Sequence, residues 1–102
     1  MKIVINNTEH AIYADGKLLI PGTNVLDKIG SDKSDVKAFI KNGDIEIKDS
    51  EKLSEADKAK AVDNVTSHDA LDKLKNAVPG IDASKAEKTL KKFDDQIKKM
   101  QG

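Results

Sequence analysis

Three consecutive residues, Ser67-His68-Asp69, supply the residue types of a hydrolytic triad. Neighbours on one helical turn point about 100° apart, whereas triad members must hydrogen-bond in series through space. The tripeptide is therefore read as a helix start, with a hydroxyl and an acid in position to satisfy and complement a first turn. The other histidine, His10, stands alone, and no HxxxH or HExxH spacing occurs, so both histidines are expected at the surface. Two acid pairs, Asp32 with Asp35 and Asp94 with Asp95, lack the alternation, glycine and closing glutamate of a calcium loop. They are read as solvated helix ends and faces. No catalytic, cofactor-binding or metal-ligating residue is assigned, and the chain is expected not to be an enzyme.

The segment Asp15-Gly16-Lys17-Leu18-Leu19-Ile20-Pro21-Gly22 has the glycines and lysine of a phosphate cradle, but not the GxxxxGK[ST] or GxGxxG order that surrounds a phosphate with backbone amides. It is read as a turn. Tyr13 is a lone aromatic and offers no stacking platform for bases. Cysteine is absent, which removes disulfides, thiolate zinc sites and a cysteine nucleophile.

Two faces of the last segment carry the remaining chemistry. Lys85, Lys88, Lys91, Lys92, Lys98 and Lys99 stand against Glu87, Asp94 and Asp95, a modest basic excess and a candidate set of phosphate contacts. All 18 basic residues of the chain are lysine, so the guanidinium fork that reads guanine or clamps phosphate is missing. Any nucleic-acid binding is expected to be weak, salt-sensitive and indifferent to sequence. Ala86, Leu90, Phe93, Ile97 and Met100 follow at alternating spacings of four and three, which aligns them in one narrow apolar stripe. Leu90, Phe93, Ile97 and Met100 are the candidate face for a partner helix, with packing on the chain's own domain as the other reading.

The elements that position these residues follow from composition and pattern. The chain has 102 residues, 18 acids balanced by 18 bases, and 25 Ile, Leu, Val or Phe residues, 15 of them within the first 48. That composition folds rather than remaining disordered, and at this length a core leaves little room for an enclosed ligand cavity. No small-molecule ligand is expected. The start lacks the apolar run of a signal peptide and no segment approaches the roughly 20 apolar residues of a membrane span. The reading is a soluble cytoplasmic protein without membrane contact.

Strands are predicted at Lys2 to Asn6, Ala11 to Ala14 and Lys17 to Ile20, the last two joined by a type I′ turn at Asp15-Gly16. Pro21-Gly22 should end the third strand. Thr23 or Asn24 should then cap a short helix carrying Val25, Leu26 and Ile29 and ending at Gly30. A second helix from near Ser34 aligns Val36, Phe39 and Ile40 and stops at Asn42-Gly43, and Asp44 to Lys48 alternates as a returning strand. The first half thus reads as a small sheet with a helix pair across it. Past Lys48 the composition turns to Ala, Lys, Asp and Glu. Ser54-Glu-Ala-Asp57, Thr66-Ser-His-Asp69 and Ser84-Lys-Ala-Glu87 each place a hydroxyl three residues before an acid, a helix-start pattern. Helices are predicted at about 55 to 65, 67 to 78 and 84 to 100. The expected class is α+β: a domain over 1–49 with a small antiparallel sheet, a connection at Asp49 to Leu53, and a helical segment over 54–102.

The stretch DGKLLIPGTNV followed by VKAFIKNGDIEI, within Asp15 to Ile47, resembles a small module common among tailed-phage and Mu-like prophage proteins. The shared pattern is a DGK turn, an apolar strand to Pro-Gly, and an apolar helix ending at a glycine before a final strand. It rests on Asp15, Gly16, Lys17, Pro21, Gly22, Gly43, Ile45 and Ile47. Leu71 to Phe93, LDKLKNAVPGIDASKAEKTLKKF, is similar to the helix-extended-loop-helix domains that such proteins append, although its loop is short and it has no arginine. The resemblance implies a phage-derived accessory or virion-assembly protein, without catalysis, located in the host cell or with the virion and acting on other phage or host proteins. A nucleic-acid-binding module using the lysine-rich last helix is the alternative.

Overall fold

The computed structural model describes residues 1–101. Its elements in chain order are β1 (Lys2–Asn6), β2 (Ile12–Ala14), β3 (Lys17–Leu19), β4 (Gly22–Leu26), α1 (Ser34–Lys41), β5 (Ile45–Asp49), a 3-10 turn (Ser50–Lys52), α2 (Glu55–Asp63), α3 (His68–Ala77) and α4 (Ser84–Gln101). The class is α+β. Two sheets form: a three-stranded antiparallel sheet in the order β4-β1-β5, and the separate β2-β3 hairpin.

β1 is the central strand, and its run of Ile3, Val4 and Ile5 is buried throughout because both faces of the sheet are covered. Successive side chains of a strand point to opposite faces. Ile3 of β1 and Val25 of β4 accordingly join a core with Ala61 and Val62 of α2, Leu71 and Leu74 of α3, and Ala86 and Leu90 of α4. Val4 and Ile45 join a second core on the other face with Ala14 and Leu19 of the hairpin, Ile29 and Val36. The sheet is thus a middle layer, with α2, α3 and α4 on one side and α1 and the hairpin on the other. The first 49 residues and the helical segment share a core through Ile3 and Val25.

The Asp15-Gly16 turn forms as its chemistry requires: both residues have positive φ, 51° and 68°, and Ala14 pairs with Lys17 across it. Two predictions in this half need correction. The helix expected from Thr23 or Asn24 to Gly30 is instead strand β4, so α1 is a single helix and no helix pair crosses the sheet. Nor does Asn24 cap a helix. Its side chain is buried and donates to the carbonyls of Ile20, Gly22 and Val4 while accepting the Ile20 amide, which satisfies a polar residue inside the sheet. Pro21-Gly22 ends the third strand as expected, and the chain passes directly into β4.

β4 is fastened to the end of α2. The last carbonyls of a helix have no partner within it, and here Ala61 accepts the Thr23 hydroxyl at 2.7 Å. Asn64, just beyond the helix, accepts the Thr23 amide at 2.8 Å, and Thr66 donates its hydroxyl to the Pro21 carbonyl at 2.9 Å. The outer edge of β4 is thereby covered at Thr23.

Among the caps, Ser54 and Asp57 form a reciprocal capping box on α2. At the other two starts the Thr66–Asp69 and Ser84–Glu87 pairings do not form, although Ser67 caps α3 as the Ser67-His68-Asp69 reading expects, by accepting the Ala70 amide. At α4, Asp82 accepts both the amide and the hydroxyl of Ser84, and Glu87 turns away to pair with Lys75. The Ser84 contacts, its hydroxyl first, hold the Asp82 carboxyl below the usual range.

Candidate interaction surface

α4 is laid along α3 by an ion pair and a hydrogen bond. Lys75, near the end of α3, meets Glu87 at 2.5 Å, and His68, at the start of α3, meets Asp94 at 2.9 Å. The sequence numbers run in opposite senses, so the two helices are antiparallel. The Glu87 contact raises the Lys75 ammonium above its ordinary value. A second ion pair, Lys85 with Asp63 at 2.9 Å, ties the start of α4 to the end of α2.

Because Asp94 already lies opposite the first residue of α3, the rest of α4 runs past the body. Residues 95–101 at 1.5 Å per residue extend for about 10 Å. The principal extents of 47 × 29 × 20 Å and a radius of gyration of 14.1 Å reflect that elongation, since a compact chain of this length has a radius near 13 Å.

The apolar stripe divides at this point. Ala86 and Leu90 are buried in the core, Leu90 to 3% exposure, so Leu90 belongs to the chain's own packing. Phe93, Ile97 and Met100 continue the same line but are 50%, 52% and 86% exposed. Together they present a few hundred Å² of apolar surface, the scale on which a patch of a monomer marks an interaction site.

The candidate phosphate contacts take a different face. Lys85 is engaged by Asp63; Lys88, Lys91, Lys92, Lys98 and Lys99 are exposed and without an ion pair among the described residues. At 100° per residue these five lie about 120° to 160° away from the apolar line, on the back of α4 with Asp95 among them. The stripe and the lysines are thus opposite surfaces of one helix.

The remaining residues with chemical potential have structural partners. The Ser67 hydroxyl accepts a backbone amide and Asp69 pairs with Lys73, so His68 meets the acid of another helix rather than its neighbour. His10 is exposed, and its carbonyl accepts from Asn6 and Thr8. Asp35 accepts the amides of Asp15 and Val36, and these bonds, Asp15 first, lower its pKa. Asp15 in turn accepts the Gly30 amide at 2.7 Å, so the DGK turn is clamped between α1 and the loop before it. The missed signal was Asp15 itself, a turn residue that also binds a distant amide. Among the described residues no group of three or more His, Cys, Asp or Glu could hold a metal ion, and no helix is long and apolar enough to cross a membrane. An open cleft of about 500 Å³ lies between α2 and the α3–α4 connection, lined by Ala59, Val62 and Ile81 together with Lys58 and Asp82.

No family model matches the chain, and no curated protein or solved structure matches it either. The functional reading therefore rests on the geometry above and on the sequence resemblance.

Proposed function

We propose that this chain is a non-catalytic interaction module, a phage-derived accessory or virion-assembly protein that acts by contact with other phage or host proteins through the overhanging end of α4. One observation carries the reading: the stripe that packs Ala86 and Leu90 into the core continues unpartnered through Phe93, Ile97 and Met100. The partner chemistry that fits is an apolar groove receiving one helix face, with the lysines on the back of α4 left outside the contact. The test compares wild type with a Phe93→Ser, Ile97→Ser double variant in recovering virion or host proteins after nuclease treatment. Recovery should be lost in the variant and persist for wild type in high salt; equal recovery by both refutes the assignment.

The five lysines on the back of α4 favour a second reading, weak attraction to a nucleic-acid backbone. Phosphate contacts release counterions, so such binding weakens steeply as salt rises. The opposite placement of the two surfaces makes the readings separable: Lys91→Gln, Lys98→Gln changes should weaken nucleic-acid retention and leave protein recovery intact.

A further inference from the structure

The two outer edges of the main sheet are treated differently. In an antiparallel ladder, residues directly opposite alternate between pairs that exchange hydrogen bonds and pairs that do not. Asn7 donates to Asp44 and Ser50 donates to Met1, one at each end of the β1–β5 pairing. With the recorded register, the bonded positions are Ile5 with Glu46 and Ile3 with Lys48. Ile45, Ile47 and Asp49 therefore turn their backbone groups outward. The same count on β4 turns Thr23 and Val25 outward, and there the Thr23 amide meets Asn64 while Val25 lies in the core beside the helices. No such cover exists for β5 among the described residues. A groove of about 400 Å³ touches Ile45, Glu46, Ile47 and Lys48 together with Ile40 of α1. Alternate residues of a strand face opposite sides, so a groove touching four in a row lies along the strand edge.

We propose that β5 pairs antiparallel with β5 of a second copy of this chain, about a two-fold axis at Ile47, giving one continuous six-stranded sheet. The choice of occupant comes from charge. With Ile47 opposite its own mate, Glu46 lies opposite Lys48 and Lys48 opposite Glu46, on one face of the joined sheet; Glu46 also pairs with Lys60 of its own chain, so Lys48 joins a carboxylate already held in place. Opposite charges directly across an antiparallel pair stabilise it, and like charges oppose it. An isologous contact requires this kind of self-complementarity. Ile47 turns its amide and carbonyl outward, so this central pair is a bonded one. On the other face the two Ile47 side chains meet beside Ile40, which is 41% exposed in the single chain. This surface is separate from the end of α4 and stands or falls independently of it.

The test uses the full chain in sedimentation equilibrium over a wide concentration range. Wild type should approach twice its 11.1 kDa mass as concentration rises, and the Ile47 amide should exchange more slowly in the dimer. Lys48→Glu places like charges across the axis and should weaken association at least ten-fold; adding Glu46→Lys together with Lys60→Glu, which keeps the ion pair between positions 46 and 60, should restore it. Ile47→Pro removes an outward amide that the β1–β5 ladder does not use, so it should give a monomer with unchanged circular dichroism. Since Lys48 has no ion pair among the described residues, its variant keeps the test sound if the proline variant fails to fold. A wild type that stays monomeric throughout, or a dimer indifferent to Lys48→Glu, overturns the proposal; a dimer abolished by Phe93→Ser instead would assign association to α4 and overturn it equally.

Discussion

Replacing Gly22 by alanine should unfold the junction between the sheet and the helices, and Gly16 supplies the control. Both glycines have positive φ, 91° and 68°, so alanine suffers a backbone penalty of about 1–2 kcal/mol at either site. Their surroundings differ. A Cβ on Gly16 has nothing within 4 Å, whereas on Gly22 it would lie 2.1 Å from the Asn64 carbonyl oxygen and 2.8 Å from the Thr66 methyl carbon. Ordinary contact begins near 3.4 Å, so β4 and the end of α2 must separate by about 1 Å, a displacement of the overpacking kind. That movement breaks the Thr23-to-Asn64 bond and strains the bonds from Thr23 to Ala61 and from Thr66 to Pro21. Losing two net hydrogen bonds costs roughly 1–3 kcal/mol, and overpacking adds about 1–3 more. Gly22→Ala should thus destabilise by about 2–6 kcal/mol beyond Gly16→Ala, against the 5–15 kcal/mol typical of a whole domain. Urea unfolding followed at 222 nm reads this difference, and a companion NMR readout of Ile3 and Val4 should lose its folded signals at the same midpoint. Equal midpoints for the two variants would show that β4 is not seated on α2, and the shared core would go with it.

Further measurements probe the same architecture. Leu90→Ala should cost about 2–5 kcal/mol, since Leu90 is buried, while Phe93→Ala, half-exposed one turn later, should cost under about 1 kcal/mol; thermal unfolding of both variants compares them. Ser54→Ala removes one half of the α2 capping box and should cost about 1 kcal/mol by urea denaturation. The Asp35 carboxyl should titrate below the ordinary value of about 3.9 in carbon-detected NMR, because the Asp15 amide bonds its charged form. Its folded pKa is depressed, so the stability it confers is complete above the unfolded value and falls away as pH drops through the lowered one. A normal titration would remove that clamp between hairpin and helix.

Much of this arrangement was legible because local chemistry and tertiary context agree. The Asp15-Gly16 turn, α1 with its stop at Asn42-Gly43, and α4 with its stripe all carry signals that need no distant partner. Residues 23–26 misled because Thr and Asn are strong helix starters, and the apolar Val25 and Leu26 fit either period. What decides them is distant: Ala61 and Asn64 receive Thr23, and the Val4 and Ile20 backbones receive Asn24. The Thr66–Asp69 and Ser84–Glu87 pairings fail for a similar reason, since Thr66 is drawn to Pro21 and Glu87 to Lys75. The α4 stripe was visible as a pattern, but its division into core and exposed surface depends on where α3 begins, which periodicity does not encode.

That division links docking to folding. A partner that covers Phe93, Ile97 and Met100 binds the same face that holds Ala86 and Leu90 in the core, so it favours the helical, docked form of α4 over any frayed one. Binding to the native state alone stabilises by RT ln(1 + [L]/Kd), about 2.7 kcal/mol at a hundredfold excess over Kd. The contact of His68 with Asp94 sits where the buried part of the helix gives way to the free part. Substituting Asp94 by alanine should therefore loosen the overhang more than the core, seen as faster amide exchange after residue 94 with little change near Leu90. Partner affinity should fall because the overhang must be ordered on binding. Exchange that rises equally at Leu90 would show that α4 responds as a single rigid rod, and the separation between its core half and its contact half would have no physical basis.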